Sequence, residues 1–223
     1  MLDEKLVVLK KELITYAGLV ESMVEKSIKG LLKRDQSILE EVIKYDETAV
    51  NNKEIELDEF CTTLIAQYQP KAKSLRSILM ALRMVGDLER MGDHAVNIAE
   101  ASEFLIKQPS IKPLIDIPRM AEVTIGMLRD SINAYINEDA LLAKSVCERD
   151  NIVDGLKDQI LRELITYMNA DTSVIERALQ LINISRNLER IADLSTNIGE
   201  EVLFLVEGRE IRHNAEQKEA SNS

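Results

Sequence analysis

The stretch LERMGDHAVNIAE, Leu88 to Glu100, is written again as LERIADLSTNIGE, Leu188 to Glu200. Seven of the fourteen positions from 87 to 100 are identical one hundred residues later: Leu88, Glu89, Arg90, Asp93, Asn97, Ile98 and Glu100. Both copies lie in long runs of Leu, Ile, Ala, Glu, Lys and Met, and the 223-residue chain has only 8 Gly and 4 Pro. Such composition predicts an all-α protein. The duplication reaches upstream. Met23, Ser27, Ile28, Asp35 and Asp46 match Met127, Ser131, Ile132, Asp139 and Asp150 at a constant offset of 104. The simplest architecture is two tandem antiparallel three-helix bundles related by internal duplication.

Helical periodicity predicts six helices, over residues 3–33, 36–69, 71–107, 117–136, 138–169 and 172–207. Asp35 and Asp139 stand where an N-cap carboxylate is wanted, and Asp171 or Thr172 could cap the last helix. Pro70 separates the second and third helices. The proline-rich stretch from Gln108 to Pro118 divides the chain into a first unit, 1–108, and a second, 109–208. Residues 209–223 are polar and are expected to form a disordered tail.

On a helical wheel of about 100° per residue, Glu89, Asp93, Asn97 and Glu100 fall on one stripe. Leu88, Met91, Ala95 and Ile98 occupy the adjoining face, so the acidic stripe borders the packing face. Glu189, Asp193, Asn197 and Glu200 repeat this beside Leu188, Ile191 and Ile198. Small residues at Gly92 and Ala192 would let a neighbouring helix come close. A facing stripe is expected on the preceding helix: Asp150, Asp154 and Asp158 in the second unit, and Asp46 and Glu54, with Val50 between them, in the first. Like charges four residues apart on a helix repel, so something must compensate.

Two readings are open. The carboxylates are either solvated faces paired with Arg90, Arg190 and nearby lysines, or oxygen ligands from adjacent helices that share metal ions. The internal repetition, the apolar border and the stacked like charges favour metal. Oxygen donors suit Mg, Ca, Mn or Fe better than Zn. A ferritin-like di-iron enzyme would need Glu-x-x-His on two helices, and the one occurrence, Glu210 to His213, lies outside the pattern. His94 has Leu194 as its counterpart and reads as structural. Cys61 and Cys147 read as small buried hydrophobes, which fits a reducing compartment.

The formal net charge of -11 argues against nucleic-acid binding. Asp3, Glu4 and Lys5 interrupt any apolar leader, and the longest stretch free of Asp, Glu, Lys and Arg is Phe60 to Pro70, too short to span a bilayer. A cytoplasmic protein without direct membrane insertion is expected. No glycine-rich phosphate cradle or nucleophile motif is present, so no enzymatic activity is suggested.

The stretches ALRMVGDLERMGDHAVNIAE and LINISRNLERIADLSTNIGEEVLFLVEGREIRH, with ELITYMNADTSVIERAL between them and DETAVNNKEIELDEFCTTLIAQYQP from Asp46 to Pro70, closely resemble the PhoU family. The resemblance covers essentially residues 1–213. It implies a pair of three-helix bundles and a homodimer. It also implies a negative regulator of phosphate uptake and the phosphate-starvation response, acting as an adaptor between the phosphate ABC transporter ATPase subunit and the phosphate sensor histidine kinase. Carried over onto matching positions, it implies metal ligands at Glu89, Asp93 and Asn97 and at Glu189, Asp193 and Asn197, with Asp46, Glu54, Asp150 and Asp154 in support. Family members usually have Ile-Gly after the motif arginine; Ile191-Ala192 departs from that, so the two sites are expected to differ. The alternative is a carboxylate-bridged metal-storage or di-metal protein of the same fold.

Overall fold

A computed structural model describes residues 1–207, and over these the chain is six helices without a strand. We number them α1 (Leu2–Lys33), α2 (residues 36–68), α3 (Ala72–Ile106), α4 (Asp116–Asn137), α5 (Ala140–Ala170) and α6 (Ile175–Glu207). The predicted boundaries hold to within a few residues. One difference is internal to α2, where a π-helical stretch, Val42–Asp46, separates α-helical Gln36–Glu41 from α-helical Glu47–Tyr68. Periodicity does not announce such a widened turn, because it inserts one residue without interrupting the helix. The other is at α6, which starts after a 3-10 turn, Thr172–Val174, where the Asp171 carboxylate accepts from the Ser173 N–H. The tail expected at 209–223 and the Glu210 to His213 motif lie outside the described residues.

The duplication is visible in how each unit turns its first corner. Arg34 and Glu138 both adopt left-handed backbone, with φ of 54° and 52°. The next N–H then reaches back to the helix: Asp35 to Gly30 O at 3.0 Å, and Asp139 to Ala134 O at 2.9 Å. The two aspartates go on to cap the following helices, accepting from Ser37 N and Leu142 N, each at 3.0 Å. These bonds satisfy orphan groups at helix termini and fix the corner twice.

Within the first unit α1 and α3 run side by side. Ser27 Oγ donates to Ala95 O at 2.9 Å, which sets their register. The apolar face of α1, Leu9, Leu13, Tyr16, Val20 and Met23, is buried against them at helical spacing. The units meet along two antiparallel helix pairs. Arg83 to Glu201 at 2.6 Å and His94 to Asn187 at 2.8 Å join α3 to α6, while Lys10 Nζ to Ile136 O at 3.0 Å joins α1 to α4. One hydrophobic core runs through both units. The proline-rich linker is pinned across its length. Arg34 donates to Gln108 O at 2.7 Å, Arg177 to Pro109 O at 2.8 Å, and the buried Lys112 pairs with Glu163 and Asp116.

Candidate functional site

In the first unit α3 buries Leu88, Met91, Gly92, Ala95 and Ile98 and turns the acidic stripe outward beside them. Glu89 is half-buried; Asp93, Asn97 and Glu100 are exposed. α2 comes unusually close here. A β-carbon on Gly92 would lie 3.0 Å from Val50 Cγ1, so a larger residue would have to push that side chain aside by a few tenths of an ångström. One turn along α2, Glu54 bears on Glu89. Burial raises the pKa of Glu89, and Asp93 and Glu54 add repulsion that Arg90 only partly offsets. The reason is where Arg90 points: its guanidinium donates to Asp87 Oδ1 at 2.6 Å. No described lysine or arginine forms an ion pair with Glu54, Glu89 or Asp93. Asp46 stands apart from this group, held by Lys26 at 2.8 Å together with Glu41.

Beneath these carboxylates lies Tyr16. Its side chain is fully buried, and its hydroxyl makes no hydrogen bond to any described residue. Burial raises its pKa, and Glu54, Glu89 and Asp93, in that order, raise it further. A buried hydroxyl without a partner is costly and needs an explanation.

The second unit solves the same problem differently. Lys157 Nζ sits between Asp154, at 2.8 Å, and Glu189, at 3.0 Å. Arg190 turns toward its own stripe, donating to Asp193 at 3.0 Å. Asp150 forms no ion pair, and its pKa is raised by burial and then by Asp193, Asp154 and Glu189. Asp193 is raised by burial and by Glu189, against the pull of Arg190. A cavity of about 390 Å³ opens between the units, lined by Asp150, Asp193 and Asn197 and overhung by Arg90 and Arg190. Thr196 lines it too, and its hydroxyl is set against the Asp150 carboxylate, where it partly opposes the rise in that group's pKa.

As the side chains stand, no three Asp, Glu, His or Cys groups among the described residues converge tightly enough to hold a metal ion. The donor chemistry still fits one in the first unit: hard oxygen donors, uncompensated repulsion and an orphaned hydroxyl are what a bound cation would relieve. The second unit fits less well, because Lys157 and Arg190 already neutralise three of its carboxylates. Pairing with basic side chains thus describes much of the second stripe, whereas in the first Asp93, Asn97 and Glu100 are solvated and Glu89 and Asp93 have no cationic partner among the described residues.

Sequence reasoning missed Tyr16, Lys157 and Thr196. Lys157 had a signal, since it follows Asp154 at helical i+3 spacing. Tyr16 had none, because it falls on the apolar face of α1 among leucines. His94 is structural, as expected: its Nδ1 meets Asn187 Oδ1 and ties the units together. Cys61 is buried and Cys147 partly buried, and both are free thiols.

The family model of the PhoU domain matches this chain twice, over residues 13–102 and 117–202. The chain belongs to the PhoU family. It is 41% identical over 204 residues to the phosphate-specific transport system accessory protein PhoU homologue of Aquifex aeolicus, covering 92% of each chain. The homologue of Pseudomonas putida is 36% identical over 205 residues, covering 92% of this chain and 80% of that protein. Among solved structures, PhoU from Pseudomonas aeruginosa superposes with a TM-score of 0.89 at 32% identity, covering 94% of this chain and all of that one. The phosphate transport system regulatory protein PhoU from Streptococcus pneumoniae superposes with a TM-score of 0.86 at 26% identity. The two matches coincide with α1–α3 and α4–α6, so the family's domain is the three-helix unit and this chain is two of them.

Proposed function

We propose that this protein is an accessory regulator of phosphate transport. It works as a non-enzymatic adaptor between the transporter's ATPase subunit and a sensor histidine kinase, and it holds the starvation response off when phosphate is plentiful. The observation that carries the reading is similarity over 92% of the chain to a phosphate-specific transport system accessory protein, with both repeats intact. No helix among the described residues is long and apolar enough to cross a membrane, consistent with action through protein contacts.

In this reading the first-unit stripe is a cation site. Glu54, Glu89, Asp93 and Asn97 would hold the ion, and in the second unit Asp150, Asp193 and Asn197, with Asp154 and Glu189 released from Lys157. A bound ion would cancel repulsion between α2 and α3 and so stiffen the unit, a structural rather than catalytic service. The test is capture of the ATPase subunit and the sensor kinase from the same genome on the immobilised full chain, with and without chelator. At least one should be retained. Retention of neither would refute the adaptor reading, and catalytic turnover of iron at the stripes would favour a metal-storage or di-metal protein instead.

A further inference from the structure

The linker end of the molecule carries a second surface, away from the acidic stripes. There α1 and α4 run antiparallel, tied further along by the Arg129 to Glu21 ion pair and the Lys10 to Ile136 O bond. Two depressions open at this end, of about 530 and 580 Å³, and Leu32 lines both. The first has Leu31, Leu105 and Leu181 from three helices and Ile111 and Leu114 from the linker. The second has Ile28 on its α1 side and Ala121 and Ile125 on its α4 side. Leu32, where the two meet, is 45% exposed.

The rim of this groove is basic, in a chain whose net charge is -11. Lys29 and Lys33, one turn apart and on either side of Leu32, are exposed and form no ion pair among the described residues. Lys33 exerts only a through-space pull on Asp35, whose carboxylate already caps α2. Arg34 spends its guanidinium on Ile106 O, Gln108 O and Ser110 Oγ, so no carboxylate neutralises it. The carboxylates on the groove are Glu122 and Glu25, and Glu25 has Arg129 at 3.9 Å.

The duplication supplies the control. At the offset of 104, Ile28 and Leu32 correspond to Ile132 and Ile136, but Lys29, Lys33 and Arg34 correspond to Asn133, Asn137 and Glu138. The far corner makes the same left-handed turn and the same aspartate cap without those cations. Folding therefore does not call for Lys29 and Lys33. At the far corner the Lys10 side chain lies across the seam, its ammonium 5.8 Å from the centre of the Tyr135 ring.

Resting on the adaptor reading, we propose that this groove docks an acidic amphipathic helix of a partner protein. Apolar side chains of that helix enter the depressions on either side of Leu32, and its carboxylates meet Lys29, Lys33 and Arg34. From Glu25 to Arg34 the α1 wall is ~14 Å long, so a helix of about three turns fills it with anchors at i, i+4 and i+7. Its charges set orientation and rate of encounter, and its apolar anchors supply most of the affinity.

The probe is a fluorescein-labelled synthetic helix of roughly 18 residues, with leucine at i, i+4 and i+7 and glutamate on both flanks. It is titrated with the full chain and followed by fluorescence anisotropy. The expected result is saturable binding that added salt weakens. Lys29→Glu with Lys33→Glu, and separately Leu32→Asp, should each weaken it at least roughly tenfold. Asn133→Glu with Asn137→Glu, at the matching corner, should leave it unchanged, and a probe with lysine for glutamate should not bind. All the groove positions changed are exposed, and circular dichroism melts will show that the variants fold. No binding by the parent, or binding that survives both groove variants, would overturn the proposal. So would a parent dimer that Lys29→Glu with Lys33→Glu splits on gel filtration, since a second copy would then cover the groove. Capture of the ATPase subunit or the kinase that is equal for parent and groove variants would also overturn it, with the adaptor reading left standing. Capture of neither, with the probe still bound at the lysines, would overturn the adaptor reading and support the groove.

Discussion

Asp87 should destabilise the folded protein at neutral pH, and Asp87→Asn should stabilise it. The side chain is 13% exposed, and its partner Arg90 is mostly in solvent. Burial lifts its pKa from 3.8 to about 6, with Glu201 adding to the lift and Arg90 and Arg83 opposing it. The sign follows from linkage. Between these two values the folded state binds more protons than the unfolded state, so stability falls as pH rises through that window and stays reduced above it. A difference of roughly two pH units corresponds to ~3 kcal/mol. The Arg90 and Arg83 attractions are already counted in that pKa, and a discount for partial solvent screening leaves a net gain from asparagine of ~2 kcal/mol near pH 7.5. For a chain of this size that raises the melting temperature by about 4–8 °C.

The second unit has already made this substitution. Asp87 corresponds to Asn187, whose amide bonds to Asn183 and His94. Asparagine is therefore compatible with this helix pairing. The assay is urea unfolding of parent and variant at pH 4.5, 5.5, 6.5 and 7.5. The advantage of the variant should shrink by ~2 kcal/mol from the highest pH to the lowest. A variant less stable than the parent at pH 7.5, or an advantage that does not change with pH, would refute the reasoning.

Three further outcomes are expected. Lys157→Met should cost about 1 kcal/mol in urea unfolding, because it releases two partly exposed carboxylates to repel each other, and added Mn should restore stability in the variant more than in the parent. Gly92→Ala should cost roughly 1–3 kcal/mol by forcing Val50 away from α3, and the double variant with Val50→Ala should recover most of it, which a thermal melt will read. Asp139→Ala should cost about 1 kcal/mol through the lost cap of α5, with little effect on the first unit's hydrogen exchange.

Much of the fold was legible because it rests on local signals written twice. Asp35 and Asp139 gave the corners, Pro70 and the linker prolines gave the breaks, and the wheel put Glu89 and Glu189 on the border of the packing face. What was not legible depends on rotamers and on contacts between helices. Glu89 and Glu189 both stand in a Leu-Glu-Arg triplet, so each is followed by an arginine. Yet Arg90 swings toward Asp87 and Arg190 toward Asp193, because position 87 is an aspartate and position 187 an asparagine. A single residue on the other side of the helix thus decides whether the stripe keeps its own counter-charge. No wheel that treats each face separately can express that choice.

The same comparison links the two unusual groups of the first unit. If Asp87 did not draw Arg90 away, the guanidinium would be available to Asp93, as Arg190 is to Asp193, and the first stripe would be partly neutralised like the second. Asp87 therefore does more than burden stability: it withholds a cation from the stripe beside Tyr16. Asp87→Asn then has a second expected outcome, distinct from its stability gain. Released from Asp87, Arg90 should turn to Asp93 at i+3, as its counterpart does, and compete with any ion bound there. Affinity for Mn, measured by equilibrium dialysis, should fall by roughly tenfold, an energy of ~1.4 kcal/mol that matches a charge-assisted contact. If Mn affinity in Asp87→Asn equals that of the parent while stability rises, the two arginines differ for a reason other than their partners at 87 and 187, and the asymmetry of the stripes must be traced to α2 and α5 instead.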